Sequence, residues 1–136
     1  MRLLAFNHYF LLATAFCASC DYSDDRVKIR NNSLHEIAVE FYRDTLPTIN
    51  ESNSEEYYVE VSIKPGETKH QFMVGNPKGW ELFTERSANG RLNMAVFDLD
   101  SLRRYGMDSI IVLELYEMLS FSLTELEKRD WVILVE

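Results

Sequence analysis

Polar and apolar residues alternate with a period of two from Arg26 onward. Val27 and Ile29 interleave with Arg26, Lys28 and Arg30, and Asn31-Asn32-Ser33 follows as a turn. Ile37, Val39 and Phe41 then alternate with Glu36, Ala38, Glu40 and Tyr42, the pattern of a half-buried strand, so the two segments predict a hairpin. Asp44-Thr45-Leu46-Pro47 ends the second strand, because proline cannot donate to a ladder and restricts the residue before it. Asn50 to Glu56 reads as an exposed loop. Tyr57 to Ile63 predicts a third strand with Tyr57, Val59, Val61 and Ile63 on one face, and Pro65-Gly66 turns the chain into a fourth, Thr68 to Val74. The turn cluster Gly75 to Gly79 precedes a short fifth strand, Trp80 to Thr84. A loop containing Asn89-Gly90 leads to a sixth, Leu92 to Phe97.

The pattern changes in the last forty residues. Asp100 is placed to cap a helix over Ser101 to Tyr105, with Gly106 just past its end. Ile110 to Leu119 fits a helix capped by Asp108 or Ser109, although its β-branched start also suits a strand. Ser122-Leu123-Thr124-Glu125 has capping-box spacing and predicts a helix over Leu123 to Arg129, and Trp131 to Val135 predicts a terminal strand that returns to the sheet. The fold class expected from these elements is α+β, mainly β: an antiparallel sheet or β-sandwich of about six or seven strands with short C-terminal helices.

The front of the chain follows neither period. Met1 and Arg2 precede a mostly apolar run to Phe16, interrupted by Asn7 and His8, and the run closes on Cys17-Ala18-Ser19-Cys20. It is shorter than the roughly 20 apolar residues that span a bilayer, and it suits a cleaved export signal. Ala18 and Ser19 are small enough to pass a signal peptidase, and the Cys20 thiol would take a diacylglyceryl group. The pattern resembles a lipobox, with Cys17 where an aliphatic or small residue is more usual. The alternatives are an ordinary signal cut near Ser19 and an uncleaved anchor. The expected organisation is a lipoprotein-type signal at 1–19, an acidic tether at 20–25 and a single β-rich domain at 26–136.

Charge and cysteine content narrow the partners. The full chain has 14 basic and 22 acidic residues. Without Arg2, 13 basic residues remain against 22 acidic ones, a net charge of −9, which argues against nucleic acid and against electrostatic docking on anionic lipid. Membrane attachment is therefore expected through acyl chains on Cys20. With Cys17 removed and Cys20 acylated, no thiol is left for a disulfide, a thiolate zinc site or a cysteine nucleophile. An acidic cluster behind a lipidated cysteine resembles a surface-display signal in Bacteroidota-type lipoproteins. In enteric-type systems an aspartate there resembles an inner-membrane retention signal. A solvated linker is the third possibility for Asp21 to Asp25.

Several segments together resemble a family of small Bacteroidota-type lipoproteins. They are Phe97-Asp98-Leu99-Asp100 at a strand end, the helix bearing Leu102 and Tyr105, the spacing of Leu123, Leu126 and Trp131, and the earlier Asn31-Asn32-Ser33 and Tyr42-Arg43-Asp44-Thr45. Members of that family often have proline where Arg43 stands. The family has no assigned activity, so the resemblance implies a location, the bacterial cell envelope and an outer-membrane lipoprotein, and a general architecture.

Candidate chemistry is sparse. Met94 to Leu102 resembles the aspartate-nucleophile motif of haloacid-dehalogenase-type phosphatases, in which one aspartate attacks phosphorus and a second handles the leaving-group proton. The glycine and threonine expected after Asp100 are absent, and the 36 residues that follow are too few for the rest of such a fold. Asp98 ending a strand and Asp100 capping a helix is the simpler reading. His35 and His70 sit in no recognised motif, no twelve-residue calcium loop surrounds Asp98 and Asp100, and no glycine-rich phosphate loop exists. No catalytic residue, metal ligand or cofactor is therefore expected. Binding is the more credible class, with an unknown envelope protein or glycan as partner. Tyr57, Tyr58, Trp80 and Trp131 offer aromatic faces, and an exposed edge strand could add to a partner's sheet. Trp80, beside the glycine-rich turn, is the candidate ligand-binding residue. A small envelope enzyme, needing His35 or His70 to meet carboxylates in a cleft, and a purely structural envelope component are the alternatives.

Overall fold

The computed structural model describes residues 22–48 and 54–136. The expected signal at 1–19 and the lipidation site Cys20 lie outside the described residues, as do residues 49–53. Among the described residues the chain forms eight strands in three mostly antiparallel sheets and five short helices, an α+β fold that is mainly β. The strands are β1 (Ser23–Asp24), β2 (Lys28–Asn31), β3 (Ile37–Tyr42), β4 (Thr68–His70), β5 (Met73–Val74), β6 (Leu92–Asp98), β7 (Glu117–Phe121) and β8 (Val132–Val135). The helices are α1 (Glu55–Glu60), α2 (Gly79–Glu85), α3 (Leu99–Tyr105), α4 (Met107–Val112) and α5 (Leu123–Lys128).

β6 is the centre of the molecule because both of its faces are apolar. It pairs antiparallel with β3 on one side and β7 on the other. Leu92, Met94 and Val96 project into one core, together with Ile37, Val39, Phe121, Val27, Ile29, Ile133, Val135, Trp80 and Leu126. Ala95 and Phe97 project the opposite way, against Tyr58, Leu99, Leu102 and Ile110. The β3-β6-β7 sheet is thus covered on one face by the β4-β2-β8 sheet with α2 and α5, and on the other by α1, α3 and α4. A strand buried on both faces reads as an almost continuous apolar run, and Leu92 to Phe97 has that composition.

The expected hairpin of the first two strands does not form. β2 joins β4 antiparallel and β8 parallel, whereas β3 belongs to the β6 sheet. The intervening residues arch from one sheet to the other around the fully buried Asn31 amide. Its nitrogen donates to the carbonyls of His35 at 2.7 Å and Ile63 at 2.8 Å, and its oxygen accepts from the Ser33 amide and hydroxyl. All the bonding capacity of a buried amide is directed at holding an arch, which separates strands that a two-residue turn would have paired.

Two further expected strands are helices. Tyr57 to Ile63 begins instead as α1, where the Ser54 side chain accepts from the Tyr57 amide and Glu55 and Glu56 occupy the first turn. Tyr58, not Tyr57 or Val59, is the residue it buries. Trp80 to Thr84 lies in α2. The expected fourth strand, Thr68 to Val74, is split into β4 and β5, which belong to different sheets. Helices therefore also occur in the middle of the chain, not only at its C-terminal end. Within the last forty residues, α3 is capped by Asp98, whose Oδ1 accepts from the Ser101 amide at 2.7 Å, so the cap lies two residues before the expected Asp100. Ile110 to Leu119 divides into the end of α4 and the start of β7. The capping box of α5 has both its bonds, and this helix sets Leu126 in the core. Asp130 and Trp131, both at positive φ, then turn the chain sharply from α5 into β8.

Part of the segment expected as a tether, from Ser23 onward, is built into the fold. Ser23 and Asp24 pair with Val74 and Met73, and Asp24 is 2 % exposed. Burial of this carboxylate is made possible by Arg26, which reaches it through Nε at 2.9 Å and Nη2 at 2.7 Å, and by the Trp80 amide at 3.0 Å. α2 comes so close to β5 that a Cβ on Gly79 would stand 2.4 Å from Met73 Cγ.

Candidate functional site

The most accessible recognition geometry lies where two sheet edges face each other. β7 is the outer strand of one sheet and β8 of the other. Between them runs an open groove of about 620 Å³, whose apolar lining is Leu119, Val132, Leu134 and Val135 and whose charged rim is Glu117, Arg129 and Glu136. The Lys28 amide donates to the Trp131 carbonyl at 2.9 Å and the Asn32 amide to that of Val135 at 2.7 Å. These bonds fix the phase of the parallel ladder: the peptide groups of Ile133 and Val135 serve β2, and the N–H and C=O of Leu134 face away from it. Among the described residues nothing accepts from the Leu134 amide.

The opposite bank is partly closed. Arg91 donates through Nη2 to the Ser120 carbonyl at 2.9 Å and through Nε to the Ser120 hydroxyl, and it pairs with Glu125 at 2.7 Å. A guanidinium on an edge carbonyl blunts that edge against indiscriminate pairing. Among the described residues the β8 edge has no such cover, and its exposed Leu134 stands beside it. An extended segment laid along β8 would gain main-chain bonds from Leu134 and an apolar floor, with the Glu117 and Glu136 carboxylates favouring cationic residues at its flanks.

The aromatic residues do not converge on a surface. Trp80 is 2 % exposed. Its indole Nε1–H is shared between the carbonyls of Asp24 at 3.0 Å and Gln71 at 3.3 Å, and its ring meets Phe41 at 4.7 Å and Phe83 at 6.1 Å. No face is left for a ligand, so the expectation that Trp80 is the exposed binding aromatic is corrected: α2 turns it into the core. Trp131 is covered by the Arg26 guanidinium, 4.3 Å from the ring centroid. The Tyr58 hydroxyl donates to Glu40 Oε2 at 2.8 Å, an oxygen that also accepts from Tyr42 at 2.7 Å, and Tyr57 lies on the surface.

The groups that a hydrolytic site would need are dispersed. His35 Nδ1 is 3.4 Å from Asp98 Oδ2, but the imidazole is mostly exposed on the arch and the other Asp98 oxygen caps α3. His70 Nδ1 lies 3.1 Å from the Asp25 carbonyl, with the ring stacked against Phe72. A polar depression of about 500 Å³ includes Glu36, Ser62, Lys69 and Arg103. There the Ser62 hydroxyl is bonded to Glu36 Oε1 at 2.6 Å and to the Val59 carbonyl at 2.8 Å, while Lys69 Nζ donates to the Ser62 carbonyl. These bonds join the end of α1 to the Ile37–Ile63 bridge, and no imidazole reaches Ser62 among the described contacts. Among the described residues no group of three or more His, Cys, Asp or Glu side chains is placed to hold a metal ion.

The role of Asp98 can be measured directly. Asp98→Ala is expected to lower stability by about 1 kcal/mol through loss of the α3 cap, and Asp98→Asn to restore most of it, since an amide oxygen accepts the same bond. Urea unfolding of the two variants checks this; equal losses in both would show that the carboxylate charge, not the cap, matters.

No helix among the described residues is long and apolar enough to cross a membrane. Comparison of the chain with protein-family models, with curated proteins and with solved structures finds no match.

Proposed function

We propose that this protein is an exported, lipid-anchored accessory module of the bacterial cell envelope that binds a partner by taking an extended segment along β8. The observation that carries the binding reading is the open β8 edge beside an apolar groove, with an outward amide at Leu134. Export and anchoring rest on the cationic start, the short apolar run and the small residues before Cys20, and on the resemblance to small Bacteroidota-type lipoproteins. The acidic balance turns the search from nucleic acid toward envelope proteins and glycans, with protein favoured by a groove bounded by peptide edges.

The test uses the full chain expressed in a Bacteroidota-type host. Intact mass is expected to show a product that begins at an acylated Cys20; an unmodified product, or one cut elsewhere, removes the anchor from the proposal. A photo-crosslinking side chain at Val132 is expected to give one discrete adduct in the same cells, and Leu134→Pro, which removes an amide the β2 ladder does not use, is expected to abolish it without lowering Tm appreciably. An adduct that persists in Leu134→Pro would overturn strand addition. Accessibility to external protease assigns the leaflet.

A further inference from the structure

Three large apolar side chains stand exposed around the point where the chain enters the fold. Val74 is 79 % and Phe72 64 % exposed, and Tyr22 is also on the surface. They are neighbours through the backbone: Val74 pairs with Ser23, Phe72 precedes β5 directly, and the Gly75 amide donates to the Tyr22 carbonyl at 2.7 Å. Packing does not explain them, since Met73 between them is the residue turned toward the core.

We infer that Tyr22, Phe72 and Val74 form a membrane-contact face that rests in the interfacial layer of the leaflet anchoring Cys20. This inference rests on the lipoprotein reading above. The argument is one of reach. Asp24 is buried and bonded to Arg26 and the Trp80 amide, so the chain is fixed to the domain from that residue onward. Between Cys20 and Ser23 only three Cα–Cα steps remain, at most about 11 Å when fully extended. The headgroup layer on each side of a bilayer is roughly 5–7 Å thick, so a cysteine acylated at its base leaves β1 at or just above the lipid surface. A domain on so short a leash must present the surface around β1 and β5 to the bilayer, and that surface carries the apolar cluster. Aromatic side chains suit this layer, where one end is apolar and the other wet. The net charge of the chain and the adjacent Asp25 oppose attraction to anionic headgroups, so the contact is apolar and insensitive to salt.

Spin labels placed by Phe72→Cys, Val74→Cys and Leu34→Cys in the full chain, processed in cells and reconstituted in vesicles of zwitterionic phospholipid with its anchor, test the inference. Leu34 is exposed on the arch at the other end of β2 from the His70 pairing and serves as the reference in water. Labels at 72 and 74 are expected to lose most of their accessibility to a water-soluble relaxant and to gain accessibility to oxygen, while the label at 34 does neither; raising salt should change none of this. Intact mass of each sample reports acylation separately. Acylated protein whose labels at 72 and 74 behave like that at 34 would overturn the membrane face and leave the anchor standing. A product without acyl chains on Cys20 overturns the anchor, and the membrane face with it.

Discussion

Trp80→Ala is expected to lower stability by about 3–5 kcal/mol, the range for removing a fully buried large aromatic. Two effects contribute. The indole fills the space between Phe41 and Phe83, and its loss leaves a cavity that α2 cannot close, because Gly79 already stands against Met73. The Asp24 and Gln71 carbonyls also lose their shared donor. Trp80→Phe separates the two, since it keeps most of the ring volume and removes the N–H, and it is expected to fall between wild type and alanine. Equilibrium urea unfolding gives both values. A loss below about 0.5 kcal/mol for the alanine variant would be the behaviour of a surface residue and would contradict the buried placement.

The second large effect is expected at Asp24. Asp24→Ala removes the acceptor of the buried Trp80 amide and one of the two carboxylates on Arg26. Breaking a buried ion pair costs several kcal/mol when the remaining charge stays buried. Here Arg26 is one-third exposed and keeps Glu81 at 2.9 Å, so much of its charge is still compensated and the expected loss is about 2–3 kcal/mol, near that of a buried polar group left unpaired. Acid titration gives a second readout. Burial alone would raise the Asp24 pKa, but the Arg26 side-chain bond, the amides of Trp80 and Arg26 and the Arg26 charge together outweigh it and hold the carboxyl below its ordinary 3.8. A group depressed in the folded state stabilises above its unfolded pKa, and that contribution is lost as pH falls through the folded value. The stability gap between wild type and Asp24→Ala should therefore be constant at neutral pH and close as pH falls below about 3.8. A gap that persists in acid would assign the effect to packing.

Segments whose determinants are local were legible in the sequence. The Ser122–Glu125 box lies within four residues and gave α5, and the apolar run Leu92 to Phe97 gave β6. The missed elements depend on partners far along the chain. α2 has no side-chain cap of its own at Lys78; a helix amide there is satisfied by Asp24, 56 residues earlier, and without that carboxylate in view a short aromatic segment after a glycine turn reads as strand. The alternation of Tyr57, Val59, Val61 and Ile63 mimicked a strand, while the Ser54 cap and two acidic first-turn residues favoured a helix whose buried member, Tyr58, is held from β3 by Glu40. Asn31 looked like a turn residue and is one, but its amide also reaches Ile63, which converts a hairpin into an arch. The groove was foreseen only as an edge strand of unspecified place. Val132 to Val135 is visibly apolar, yet its outward edge follows from a parallel pairing with β2 that no local pattern signals.

That parallel pairing also governs the order of events as the chain emerges. Lys28 through Asn31 are matched with Val132 through Val135, about a hundred residues away, and closing so long a loop is entropically costly before the contact is made. Until the last strand is synthesised, Val27 and Ile29 lack the Ile133 and Val135 side chains that complete their core. Nascent chains shorter than this cannot complete that core, so the native state closes only once the last strand is delivered.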